Sequence, residues 1–152
     1  MTDSEWASLS FFRKNEPWGD PSKMDFRFIT ELERYRKFIG VPVFIHCGTQ
    51  GSHSEKSFHS KGVAADVSVP NLNLLDAWID ALRFDFTGIG FYPLWTNTLG
   101  EPLGGLHLER NPFSIGRRKK LWIGVSFEGG ANTKYVAMSE INLMAYYKNW
   151  GG

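Results

Sequence analysis

Residues 57 to 68 read Ser57-Phe58-His59-Ser60-Lys61-Gly62-Val63-Ala64-Ala65-Asp66-Val67-Ser68, with a histidine and an aspartate on either side of a glycine turn and two alanines. The β-branched residues after the turn suit a buried strand and argue against a helix. With residues 64 to 68 extended, Ala64, Asp66 and Ser68 share one face, and Ala65 and Val67 face the other way. Asp66 then points from a sheet toward the imidazole that His59 brings from the preceding loop. An imidazole and a carboxylate meeting at one point suit a divalent cation, zinc above all. A catalytic zinc takes a third protein ligand and leaves one position for water.

The third ligand has few sources, because the chain has four histidines: His46, His53, His59 and His107. His107 sits in the alternating segment Gly105-Leu106-His107-Leu108-Glu109, where His107 and Glu109 share one face and the two leucines the other. It completes the expected set His59, Asp66 and His107. Taken singly, a histidine beside an aspartate is more often a surface pair or a satisfied core residue than a metal ligand. The ordered set is what carries the reading.

Ser57, His59, Gly62, Ala64 and Asp66 match an S-x-H-x-x-G-x-A-x-D pattern, which resembles the signature of the M15-type zinc D-Ala-D-Ala peptidases, relatives of the lysostaphin-type and hedgehog-type zinc folds. Val41-Pro42-Val43-Phe44-Ile45 with Cys47-Gly48 is similar to that family's strand and following turn. Gly88-Ile89-Gly90-Phe91-Tyr92-Pro93 followed by His107 is similar to its closing hairpin. The likeness covers roughly residues 11 to 124, in the family's order.

The resemblance implies an α+β fold, a small antiparallel sheet with helices packed on one side, and a zinc peptidase acting on peptidoglycan stem peptides or cross-bridges. In the family the turn after the first strand carries an arginine that grips a substrate carboxylate; here the nearest match is Gln50. A neutral amide lacks the charge and forked donors for that task, which shifts the expectation from carboxypeptidase toward endopeptidase. Ser57 and Gln50 are the expected substrate-binding residues. Many relatives place the catalytic acid three residues before the last histidine ligand, and Gly104 stands there. Glu101, in the same loop, takes the role by likeness to the hedgehog-type arrangement. Glu109 is the alternative, but ~6 to 7 Å along the strand it sits too far to share the same water. His46, at the end of an apolar strand, is expected near the site as a hydrogen-bonding catalytic residue, and His53, on a polar loop, in solvent.

The supporting elements follow from patterning. Asp25 can cap a helix that ends at Gly40, before Pro42. Phe28, Leu32, Tyr35 and Ile39 form its apolar face, with Glu31, Arg34 and Lys37 toward water. Residues 42 to 46 form a strand, and Asn71 or Asn73 caps a second helix whose stripe is Leu75, Trp78, Ile79 and Leu82. Residues 87 to 92 return as a strand in which Gly88 and Gly90 permit a close approach or a bulge beside the site. The loop from Leu94 to Gly105 should form one wall of the cleft. Leu121 to Val125 should close the sheet, and a terminal helix fits residues 139 to 148.

Bulk properties bound the rest. At 152 residues the chain suits one domain spanning residues 1–152, expected as a monomer. Seventeen basic against sixteen acidic residues leave +1, too balanced to point to nucleic acid. The run Arg117-Arg118-Lys119-Lys120 reads as a solvated turn. Cys47 is the single cysteine, which excludes an intrachain disulfide and a Cys-rich metal site and reads as a small buried residue. No stretch has the ~18 apolar residues of a membrane span, and the first residues lack signal-peptide character. The expectation is a protein synthesised in the cytoplasm that acts on the cell wall after release, as phage endolysins do. The competing expectation is a catalytically silent zinc-containing module for wall binding or phage structure.

Overall fold

In a computed structural model, which describes residues 1–50, 55–96, 99, 103–127 and 132–137, the chain forms three α-helices and one mixed sheet. The helices are α1 (Asp3–Ala7), α2 (Phe26–Ile39) and α3 (Leu74–Ala81). The strands are β1 (Phe44–Cys47), β2 (Ala64–Ser68), β3 (Gly88–Tyr92), β4 (Gly105–Glu109), β5 (Lys120–Phe127) and β6 (Asn132–Ala137). The sheet order is β1-β2-β4-β3-β5-β6. The expected α+β class is present, but the sheet is not purely antiparallel. β5 runs parallel to β3, because the segment after β4 crosses over through a short turn at Pro112–Ser114 before it pairs. Strand β6 then extends the sheet beyond the segment read as its last strand.

Local chemistry sets the helix ends. Asp25 accepts the Phe28 N–H as N-cap of α2, and Gly40 closes that helix with φ of 70°. Asn73 caps α3 by accepting from Leu75. Along α2, Phe28, Ile29, Leu32 and Tyr35 are buried. They join Ala77, Trp78 and Ala81 of α3 and one side of the sheet, including Ile45, Ala65, Val67, Ile89, Phe91, Leu106, Leu108 and Ile123, in a single core. Two assignments on the helices change. Ile79 is 43 % exposed, off the apolar stripe. Glu31 is buried instead of facing water, because its carboxylate accepts the Asp85 N–H at 2.7 Å and pairs with Arg34. A buried carboxylate with a backbone donor and a cation is satisfied where an unpaired one would not be.

Strand alternation leaves the other side of the sheet for chemistry. The register sets Cys47 opposite Asp66, Asp66 opposite His107, His107 opposite Gly90 and Gly90 opposite Trp122 in one row. Ala64, Glu109, Gly88 and Lys120 form the next row. A polar row on one face, backed by a fully apolar face, is the geometry the sequence pattern of β2 and β4 encodes.

The N-terminal segment braces this face. Trp18 is fully buried, its indole N–H donates to the Arg13 carbonyl at 2.8 Å, and Trp6 and Phe12 pack on it. The Trp18 carbonyl accepts the Thr49 N–H at 2.6 Å, and a side chain on Gly48 would strike it at 2.5 Å. The turn after β1 is therefore locked against Trp18. In the loop before β2, Gly62 has φ of 69° and would place a Cβ 1.9 Å from the Lys23 carbonyl, while its own carbonyl accepts the Asp25 N–H at 2.9 Å. The histidine-bearing loop is thus pinned to the start of α2.

Replacing Trp18 by Ala should cost about 3–5 kcal/mol of stability, the usual range for emptying a buried tryptophan site. Chemical denaturation would show this as a lowered midpoint with an unchanged slope. A variant within about 0.5 kcal/mol of the parent, the range of ordinary surface changes, would contradict the bracing role.

Candidate metal centre

Three of the expected residues meet. His59 Nε2 lies 3.1 Å from His107 Nδ1 and 3.4 Å from Asp66 Oδ1, and His107 Nδ1 lies 2.9 Å from the same Asp66 oxygen. Their protons are assigned by the other partners. His59 Nδ1–H donates to the Gly48 carbonyl at 2.7 Å, and His107 Nε2–H donates to Glu109 Oε2 at 3.2 Å. Each imidazole therefore turns its other nitrogen toward its partner and toward the Asp66 carboxylate, where an added proton or a cation can sit. Two lone pairs at that separation repel unless something positive lies between them.

The triangle also has the right size. Tetrahedral zinc with Zn–N and Zn–O distances of about 2.0–2.1 Å has ligand–ligand edges of about 3.3 Å. The observed edges of 2.9, 3.1 and 3.4 Å bracket that value. Partners on the outer nitrogens, a carbonyl for one histidine and a carboxylate for the other, are the usual means of fixing ring orientation and tautomer at a metal.

Without a cation, a proton takes its place. Burial alone would push both histidines down, but the Asp66 carboxylate reverses this and holds each at about 9, helped by Cys47 at His59 and by Glu109 at His107. Burial alone would raise Asp66, yet the hydrogen bonds from His107 and His59 keep its carboxyl well below the usual range. The pocket is built for positive charge.

A second, looser triad overlaps the first. Cys47, His59 and Asp66 each bring a ligand atom to within 4.8 Å of the others, so this cluster too could hold a metal. The Cys47 sulfur stands 3.9 Å from His59 Nδ1, the nitrogen already engaged by Gly48. The tighter triangle, built on His59 Nε2, His107 Nδ1 and Asp66 Oδ1, is the better match to tetrahedral edges. Cys47 is half-buried beside the site, where the sequence suggested a small buried residue without chemistry. Its place opposite Asp66 was implicit in pairing the two strands antiparallel.

The other expected site residues are placed differently. Ser57 lines the cleft and its Oγ accepts the His59 N–H at 3.2 Å, so it shapes the loop. Gln50 is fully engaged with backbone: its amide donates to the Pro17 and His46 carbonyls at 2.6 and 3.0 Å and accepts from Gly48 at 2.9 Å. It holds the turn that orients His59. His46 Nε2 pairs with Ser68 Oγ at 2.7 Å in an adjoining pocket shared with Asp66 and Trp95. Burial lowers its pKa against the pull of Asp66. Glu109 is 7 % exposed and bonded to His107, which makes it an orienting group. Glu101, His53 and the segment read as a terminal helix lie outside the described residues.

Trp95 belongs to the loop expected as a wall of the cleft, and missed from sequence were the other rings beside it, Tyr92, Trp122 and Tyr135. The cleft, of about 560 Å³, is lined by Tyr92, Trp95, Trp122 and Tyr135 as well as the ligand set. These rings lie over strand glycines. A Cβ on Gly124 would meet Tyr92 at 2.1 Å, one on Gly105 would meet Trp95 at 2.1 Å, and one on Gly90 would meet Trp122 at 2.6 Å. Gly88 likewise makes room for Glu109, whose Oε1 would lie 2.4 Å from an added Cβ. Gly88 and Gly90, which the sequence marked as sites of close approach, make room for side chains, as do Gly105 and Gly124.

Two outcomes follow. Replacing Glu109 by Gln should weaken metal binding about 10–100-fold, the usual effect of losing an outer partner of a ligating histidine. Competition with a chromophoric chelator measures it, and unchanged affinity would remove Glu109 from the site. In metal-free protein, histidines raised from 6.5 to about 9 stabilise the fold fully below pH 6.5 and lose that contribution as pH rises through 9. The melting temperature in chelator should therefore fall over that window. Zinc must displace protons, so its apparent affinity should rise with pH over the same window. A metal-free melting temperature flat from pH 6.5 to 9 would contradict the charge assignment.

No protein-family model, curated protein or solved structure matches the chain.

Proposed function

We propose that this protein is a zinc-dependent peptidase that hydrolyses peptide bonds of bacterial peptidoglycan, similar in kind to the M15-type enzymes and their hedgehog-like fold. The observation that carries the reading is the triangle of His59 Nε2, Asp66 Oδ1 and His107 Nδ1, with edges of 2.9 to 3.4 Å, at the floor of an open cleft. When bound there, zinc would polarise a carbonyl and bring the pKa of a water molecule toward neutrality. The chain's own residues hold the ligands still. The Gly48 carbonyl and Glu109 carboxylate fix both rings, and the Trp18 contacts fix the Gly48 turn. A cleft of this volume accommodates a short peptide. Glu101 is our candidate for moving the proton from water to the departing amine, on the motif likeness alone. With no cation at Gln50, cleavage within a peptide is favoured over removal of a terminal residue. No helix among the described residues is long and apolar enough to cross a membrane, and an endolysin or wall-remodelling role fits a substrate outside the cell.

A second reading is favoured by Cys47. A metal that recruited its sulfur as a fourth ligand would be closed to water, and the domain would be a zinc-stabilised wall-binding or phage structural module.

Zinc-loaded protein incubated with purified cell walls should release new amino groups. Chelator or His107→Ala should abolish this, and Cys47→Ser should leave it intact. Zinc-loaded protein that binds walls without releasing amines from pH 6 to 9, with zinc lost in Cys47→Ser, would replace the hydrolase with the module.

A further inference from the structure

The aromatic wall of the cleft holds one hydroxyl with unusual firmness. The Tyr92 ring stacks on Trp95 with centroids 4.4 Å apart and planes 21° from parallel. It rests over Gly124 and Gly90, where added Cβ atoms would come within 2.1 and 2.7 Å of its carbons. Its phenol oxygen accepts the Trp122 indole N–H at 3.0 Å, and the Trp122 ring leans on His107 with centroids 5.3 Å apart. The hydroxyl is thereby held in register with the histidine through one rigid side chain.

The phenol oxygen accepts from Trp122, and its own proton is engaged by the side chain of Tyr135, a hydrogen bond that a ligand oxygen can replace. Burial raises the Tyr92 pKa far above its ordinary value, opposed by the Trp122 donor and reinforced by Tyr135 and Asp66. The hydroxyl therefore stays protonated at any working pH, and it feels the Asp66 charge. Its neighbour Tyr135 stands on edge strand β6 and is 66 % exposed, free to give way when a ligand enters. A fixed donor in a partly desolvated cleft, beside a cation site, is placed where a carbonyl oxygen gains negative charge during attack by water.

We infer that the Tyr92 hydroxyl is a catalytic residue of the proposed hydrolysis, donating a hydrogen bond to the scissile carbonyl oxygen as charge develops on it. The inference rests on the peptidase reading. Tyr92 keeps its proton throughout. Water adds across the C–N bond, its oxygen joining the carbonyl carbon as that bond breaks, and a proton from the water ends on the departing amine.

Tyr92→Phe keeps the ring, its stacking and its glycine seat while deleting the donor. In zinc-loaded protein, kcat on wall peptides should fall about 100-fold with KM changed less than about twofold, the pattern of an interaction made only in the transition state. Zinc content and melting temperature should match the parent. By calorimetry, a phosphinate peptide mimicking the tetrahedral state should lose a similar factor in affinity, and a cleaved product peptide should not. Parental kcat in Tyr92→Phe, a loss confined to KM, a loss of zinc, or a rate defect found in Tyr135→Phe instead would each overturn the assignment. A parent that cleaves no wall peptide would defeat the peptidase reading itself, an outcome distinct from an active parent matched by its variant.

Discussion

Two imidazole nitrogens facing each other at 3.1 Å, over a shared carboxylate oxygen, form an arrangement that positive charge stabilises. Every other feature of this face contributes to keeping it in that state. The Gly48 carbonyl and the Glu109 carboxylate each accept an imidazole N–H, which holds the rings against turning away. In the absence of a metal, the Asp66 carboxylate holds both histidines near 9 despite burial. A cation of the right size would supply that positive charge with better geometry, in competition with protons for one place.

The supports of the triangle are far apart in sequence. His59 depends on the turn at Gly48, which depends on Trp18, which is buried among the aromatic residues of the N-terminal segment. His107 depends on Glu109, which fits because Gly88 on the neighbouring strand has no side chain. The same substitution of space for side chain seats Tyr92, Trp95 and Trp122 on the sheet. One face of the sheet is an apolar core, and on the other, glycines alternate with the largest polar and aromatic groups in the cleft. A scaffold of this kind fixes ligands and walls with the rigidity of paired strands, more precisely than loops would.

Much of this was legible in the sequence, for identifiable reasons. Period-two alternation in 64–68 and 105–109 put Asp66 and His107 on the same side, and Asp25 and the pair Asn71 or Asn73, of which Asn73 is the cap, marked the starts of α2 and α3. What stayed hidden depended on strand neighbours. The parallel placement of β5 beside β3, and the existence of β6, follow from crossover geometry that local patterns do not encode. Pairing across strands made Cys47 a neighbour of Asp66, and Glu31 buried its charge because of a backbone N–H at Asp85, distant in the chain. Gln50 occupies the position where the resembled family has a cation, but its contacts are with the backbone of its own turn and of Pro17. The sequence thus pointed to His59, Asp66 and His107, which meet in the structure, and left the rest of the cleft lining to the fold.

The most direct test is X-ray absorption at the zinc edge on protein loaded with one equivalent of zinc. The triangle predicts a first shell of nitrogen and oxygen at about 2.0–2.1 Å, with the outer-shell scattering of two imidazoles and no sulfur. A sulfur contribution at about 2.3 Å, or a shell with a single imidazole, would show that the ion sits with Cys47 or elsewhere and would contradict the account.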